Sequence, residues 1–198
     1  MKAVLISIQP KWVEKIANGE KTIEVRKTKP KLETPFKVYI YCTKGKPTIF
    51  ESDGLVNGDI PYFYNGYVMG EFVCDRIDEF HEWELSPSKR FYEEEKARLD
   101  LFLKESCLTY EEVCEYRKNL PSIKPLYGWH ISDLKIYDKP KELSEFRTPC
   151  KMGNYPCCGI CDYAVHGMDG DLIDCDTSLT RPPQSWCYVE PLKEKTDD

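Results

Sequence analysis

The stretch Lys21-Thr-Ile-Glu-Val-Arg-Lys27 most narrows what this chain can fold into, because apolar and polar residues alternate along it one by one. A period of two belongs to a β-strand whose side chains point to opposite faces. Ile23 and Val25 are expected to face a core, while Thr22, Glu24 and Arg26 project together from the other face. The strand then reads as half-exposed, and Glu24 with Arg26 as a surface ion pair of little stability value. Lys21 has the parity of the core residues. It reaches Glu24 only if the turn after Gly19 leaves it at the mouth of the strand.

Other segments supply partners for that strand. Residues 3–8 are a continuous apolar run with β-branched members, which predicts a buried strand. Pro10 suits the first turn of a short helix with Trp12, Val13 and Ile16 on its apolar side, and Gly19 stands at its C-cap. Further strands are expected over residues 36–42, 67–77 and 126–137, with a short closing strand over 185–189. Residues 87–118 are helical in pattern. Ser88 can cap a helix running through residues 91–103, and Thr109 with Glu112 has capping-box spacing for a second, stopped by Pro121 and Pro125. Short strands with two mid-chain helices predict an α+β fold, a small mixed β-barrel with helices on its rim. Residues 1–190 read as one domain with a helical insertion over 87–120 and a Cys-rich loop over 147–178, followed by a tail over 191–198.

The net charge of −6 and pI near 5.3 oppose a generic grip on duplex DNA. The charge is unevenly spread: residues 1–50 carry 11 Lys/Arg against 4 Asp/Glu. That pattern fits either one cationic face for an anionic ligand or a solubilising surface with no ligand. No apolar run is long enough to cross a bilayer, and residues 3–6 are too short for a signal peptide, so a cytoplasmic protein without membrane contact is expected.

Six of the ten cysteines lie far apart and read as small buried hydrophobes or thiols outside any framework. The excursion at 147–178 differs. Cys158 and Cys161 form a C-x-x-C pair, Cys175 follows, and Cys150 could complete a tetrahedral, structural zinc site, with Cys157 and His166 as alternates. A reduced loop or a redox-active Cys157, Cys158 and Cys161 group is the competing reading.

The run Gly19-Glu-Lys21-Thr-Ile-Glu24-Val-Arg26, after a Ser7…Pro10 opening and a short helix, resembles the G-x-K-x-x-E-x-R signature of the ASCH family. The segments at 31–42, 127–131 and 179–188 resemble longer ASCH-like proteins of bacteria and their phages. The resemblance implies a PUA-like barrel with a cleft beside the signature strand that binds RNA or a nucleotide. Lys21 and Arg26 could then hold phosphate, Glu24 could accept from a base amino group, and Trp129 or Trp186 could stack on a base. Ser7, Trp12, Arg181 and Ser185 complete the expected ligand-binding set. Either tryptophan reads equally as core.

Some small ASCH proteins are amidohydrolases that remove an acyl group from acetylated cytidine, using a lysine and a threonine of the signature strand and a glutamate elsewhere. Lys21 matches that lysine, but Glu24 stands where the subgroup has threonine. Glu24 is expected to keep Lys21 protonated, which opposes use of Lys21 as nucleophile or base. Other members are nucleases, although no His pair or metal-carboxylate group stands out here and His130 reads as structural. If the chain is an enzyme, Lys21 and Glu24 are the candidate catalytic residues. A third reading is a protein-interaction module using the acidic helical region around residues 93–95 and Glu111–Glu112, its protein partner unspecified.

Overall fold

β1 (Ala3–Ile8) is buried at all six positions, as its apolar run predicts. Val4, Ile6 and Ile8 enter one core and Ala3 and Leu5 another, so both faces of this strand are covered. The computed structural model describes residues 3–44, 65–82, 93–149, 164–166, 172–175 and 177–192. β1 pairs in parallel with β3 (Phe36–Cys42) and antiparallel with β10 (Trp186–Val189). With β4 (Val68–Cys74) and β7 (Ser132–Lys141) they form a five-stranded sheet of order β10-β1-β3-β4-β7. A second sheet, order β2-β6-β5, holds β2 (Ile23–Arg26), β6 (Leu126–His130) and β5 (Ile77–Phe80).

Two stretches expected as single strands are each divided between the sheets. The run over 67–77 breaks after Cys74, and the run over 126–137 breaks at Ile131, just before Asp133 turns through a φ of 46°. Each break lies at or beside two consecutive polar residues, Asp75-Arg76 and Ser132-Asp133, across which the apolar parity slips by one. The mixed α+β character holds, but the described strands do not close into a barrel. The edge of β2 turned away from β6 pairs with no described strand, and a cleft runs along it. Arg26 crosses that gap with its side chain in place of a backbone ladder.

Trp129 joins the two sheets. It is fully buried in the core built by β1, β3, β4 and α1 (Pro10–Ala17). Pro10 opens α1, Val13 and Ile16 are its buried side, and Gly19 follows the Asn18 cap at a φ of 74°, as the sequence predicts. α2 (Glu93–Ser106) and α3 (Tyr110–Arg117) cover the smaller sheet by setting Phe102 and Val113 against Ile23, Val25 and Phe80. The capping box is formed: the Glu112 N–H donates to Thr109 Oγ1 at 3.1 Å and the Thr109 N–H to Glu112 Oε2 at 3.0 Å. Ser88 lies outside the described residues. No described helix is long and apolar enough to cross a membrane.

The Cys-rich excursion contains a hairpin that its composition did not suggest, β8 (Ala164–His166) against β9 (Leu172–Cys175). Its base is pinned: Arg147 bridges Ser178, and the Thr148 N–H donates to the Thr177 carbonyl at 2.9 Å.

Three scattered cysteines make the fold sensitive to alkali. Burial pushes the Cys42 and Cys74 thiols from 9.0 up to about 12, and Cys187 to about 11. The folded state therefore holds these protons after the unfolded chain has released them. Their stabilisation is complete below pH 9.0 and is lost as pH rises through about 11 to 12. Lys21, whose pKa is lowered, acts in the opposite sense but is one group against three. The melting temperature followed by circular dichroism is expected to fall steadily above pH 9.0; a flat profile there would show that these thiols are not desolvated.

Candidate functional site

The end of β1, the start of α1, β2, α3 and residues 184–185 enclose a cleft of about 470 Å³. Glu24 and Arg26 come from β2, whose four residues are all buried. The half-exposed strand and surface ion pair expected from alternation are therefore corrected. Ile23 and Val25 pack under α2 and α3 as expected, while the opposite face, which alternation assigns to solvent, is roofed by distant segments. Only Thr22, before the strand, is exposed.

Lys21 sits at the strand mouth, two residues before β2, and meets the condition its parity imposed. It is only 2 % exposed. Its Nζ donates to the Ser106 carbonyl at 2.7 Å and lies 3.4 Å from Glu24 Oε2. Glu24 Oε1 is 3.0 Å from Arg26 Nη2. The same Arg26 nitrogen donates to the Ser7 carbonyl at 2.6 Å, and Nη1 lies 3.4 Å from Ser185 Oγ. One carboxylate thus sits between two cations, leaving a buried group with one surplus positive charge when Lys21 is protonated.

Burial pushes the Lys21 ammonium below the ordinary lysine value, and Glu24 offsets that only in part. Glu24 raises the Lys21 pKa as expected, but desolvation outweighs the ion pair and the net direction is downward.

Ser7 and Ser185 belong to the cleft and are tied together. Ser7 Oγ donates to the Pro183 carbonyl at 2.6 Å and the Ser7 N–H to the Ser185 carbonyl at 2.9 Å. Trp12 is half-buried on the wall, its ring 5.1 Å from Lys21 Nζ and 4.1 Å from Lys11 Nζ. Two expected stacking residues are placed elsewhere. Trp129 is wholly enclosed, edge-on to Phe36 at 5.9 Å, so no base can reach its face. Trp186 packs on Trp129 and Tyr188, and its Nε1–H donates to Thr28 Oγ1 at 2.9 Å. Arg181 is exposed and does not line the cleft. His130 pairs with Asp78 at 2.8 Å on the smaller sheet, again away from the cleft.

Sequence reasoning missed the far wall. Leu108, Glu112 and Tyr116 line it, with Gln9, Thr43 and Gln184 on other sides. Glu112 is the capping residue of α3 and pairs with Lys11 at 3.6 Å, so part of the acidic region read as a partner surface faces the cleft. Burial raises the pKa of the Tyr116 phenol. The capping box locates the start of α3, but no local signal says what α3 packs against.

Of the proposed zinc ligands, Cys150, Cys157, Cys158 and Cys161 lie outside the described residues. His166 and Cys175 fall on the backbone of the β8–β9 hairpin, opposite Leu172 and Ala164. Among the described residues no group of three His, Cys, Asp or Glu could hold a metal ion.

Crystal structures of ASCH from Zymomonas mobilis, unsubstituted and as two single mutants, are similar to this chain at 17% identity and a TM-score of 0.46. The alignments cover 71–72% of this chain and 73–77% of theirs. No curated protein matches the chain. A family model described as the ASCH domain matches residues 6–116, more than half of the sequence. That match starts at β1 and ends on Tyr116, taking in every cleft residue except Gln184 and Ser185, and the chain belongs to the ASCH domain family.

Proposed function

We propose that the chain binds RNA or a nucleotide in the cleft beside Lys21, Glu24 and Arg26. The observation that carries this reading is the surplus positive charge buried on the cleft floor. A buried cation without a full counterion attracts an anion far more than a solvated lysine does. The half-buried Trp12 ring, 5.1 Å from Lys21 Nζ, and the exposed Tyr116 ring line the same cleft and could stack on a base. They take the place assigned to Trp129 and Trp186. The cleft volume also lies within the range of small-ligand sites.

Calorimetric titration with nucleoside monophosphates and short single-stranded RNA tests the reading. Lys21→Ala leaves the Glu24–Arg26 pair neutral, and is expected to weaken binding about tenfold or more while the protein stays folded. Binding unchanged in this variant would overturn it.

The lowered Lys21 pKa favours a second reading, hydrolysis of an acylated nucleoside with Lys21 as the catalytic group. Lys21→Arg separates the two, since arginine keeps the charge and cannot deprotonate. Binding retained with turnover lost would establish the enzyme; no consumption of acylated nucleosides by the unsubstituted protein would exclude it.

A further inference from the structure

Resting on the nucleotide reading, we infer that the cleft reads the base with main-chain atoms, the N–H and C=O of Val25 on the unpaired edge of β2, held beside the buried Lys21–Glu24–Arg26 charge. The register fixes which groups face that edge. The Ile131 N–H donates to the Thr22 carbonyl at 2.9 Å, so residues 22 and 131 stand as a hydrogen-bonded pair. In an antiparallel ladder such pairs alternate with pairs whose backbone groups point outward. Glu24 opposite Trp129 and Arg26 opposite Tyr127 are then hydrogen-bonded pairs, and Val25 opposite Gly128 is an outward pair. The His130 N–H, which donates to the Arg76 carbonyl on the far side, agrees with this phase.

Val25 lines the cleft although its side chain is packed in the core beneath α2 and α3. What it presents to the cleft is therefore main chain, one donor and one acceptor side by side. No described strand pairs with this edge. An added β-strand would need a longer run of such groups. Here β2 is only four residues long, and its outward groups on that edge are those of Ile23 and Val25. A compact group with an adjacent donor and acceptor fits where a peptide does not. Every nucleobase carries such a pair on its pairing edge, and phosphate is drawn to the same cleft by the Lys21 charge. The edge accepts any base that offers the pair, so this device selects for the presence of a base.

Isotope-labelled full-length protein would be titrated with the monophosphates of uridine, cytidine, adenosine and guanosine, with ribose phosphate, and with the same nucleotides methylated on the pairing edge. The Val25 amide is expected to shift and to exchange more slowly with solvent when a nucleotide binds. Ribose phosphate and the methylated nucleotides are expected to bind about tenfold more weakly and leave that amide unprotected. If nucleotides bind and move the Trp12 and Ser185 signals while Val25 exchange is unchanged and methylation costs nothing, main-chain readout is wrong and the nucleotide reading stands. If none of the nucleotides binds, the nucleotide reading itself fails and main-chain readout fails with it.

Discussion

Replacing Glu24 by Gln is expected to destabilise the protein by about 3–5 kcal/mol, the cost of removing one partner from a buried ion group. Lys21, Glu24 and Arg26 are 2, 6 and 8 % exposed, so solvent cannot take over the lost charge. Glutamine keeps the shape but leaves two cations facing each other across a side chain with no charge. The pH dependence identifies the cause. Burial already holds the Lys21 pKa down, and without Glu24 it falls further. The folded variant then releases the Lys21 proton at a pH where the unfolded chain still binds it, so its stability rises with pH over that interval. Urea unfolding in neutral and mildly alkaline buffer should show the gap to the unsubstituted protein narrowing as pH increases. Adding Lys21→Met should recover much of the loss. A deficit that is independent of pH and unrelieved by Lys21→Met would mean that Glu24 acts through packing alone.

Trp129→Ala is expected to cost a comparable amount, about 3–5 kcal/mol for a fully enclosed large aromatic side chain. The residue contacts Phe36 of one sheet from its place on the other, and its removal opens a void where both sheets meet. Trp129→Phe should cost much less. The Trp129 Nε1–H is buried without a hydrogen-bond partner among the described residues, so phenylalanine removes an unsatisfied donor along with part of the ring. Urea midpoints for the two variants test this: equal losses would show that the indole N–H is satisfied and that ring size is not the dominant contribution.

Signals carried within a few residues of chain were legible before the structure. Pro10 and Gly19 bracket α1, Thr109 and Glu112 cap α3, and the residue 3–8 run is a buried strand. The signature residues Lys21, Glu24 and Arg26 do converge. What could not be read is what covers what. An alternating strand looks half-exposed unless one knows that α3 and residues 184–185 close over its polar face. The divisions at residues 75–76 and 131 did leave a trace, the polar pairs Asp75-Arg76 and Ser132-Asp133 where the period slips by one, but a slip alone does not say which sheet each half joins. The net downward shift at Lys21 was hidden for the same reason: a neighbour in sequence is visible, whereas burial is a property of the fold.

The bonds from Ser7 to residues 183 and 185 set an order of assembly. As the chain is synthesised, β1 emerges long before β10, and until then one edge of this mostly apolar strand has no partner. A nascent chain halted short of residue 183 also lacks the segment that receives the Ser7 hydroxyl and closes over Arg26. The pocket is thus completed only after residue 185 is made, and shorter chains carry Lys21 and Arg26 without the segment that closes over them. The cleft therefore closes together with the pairing that covers the second edge of β1, so a chain with a finished cleft is also one whose buried strand is no longer exposed.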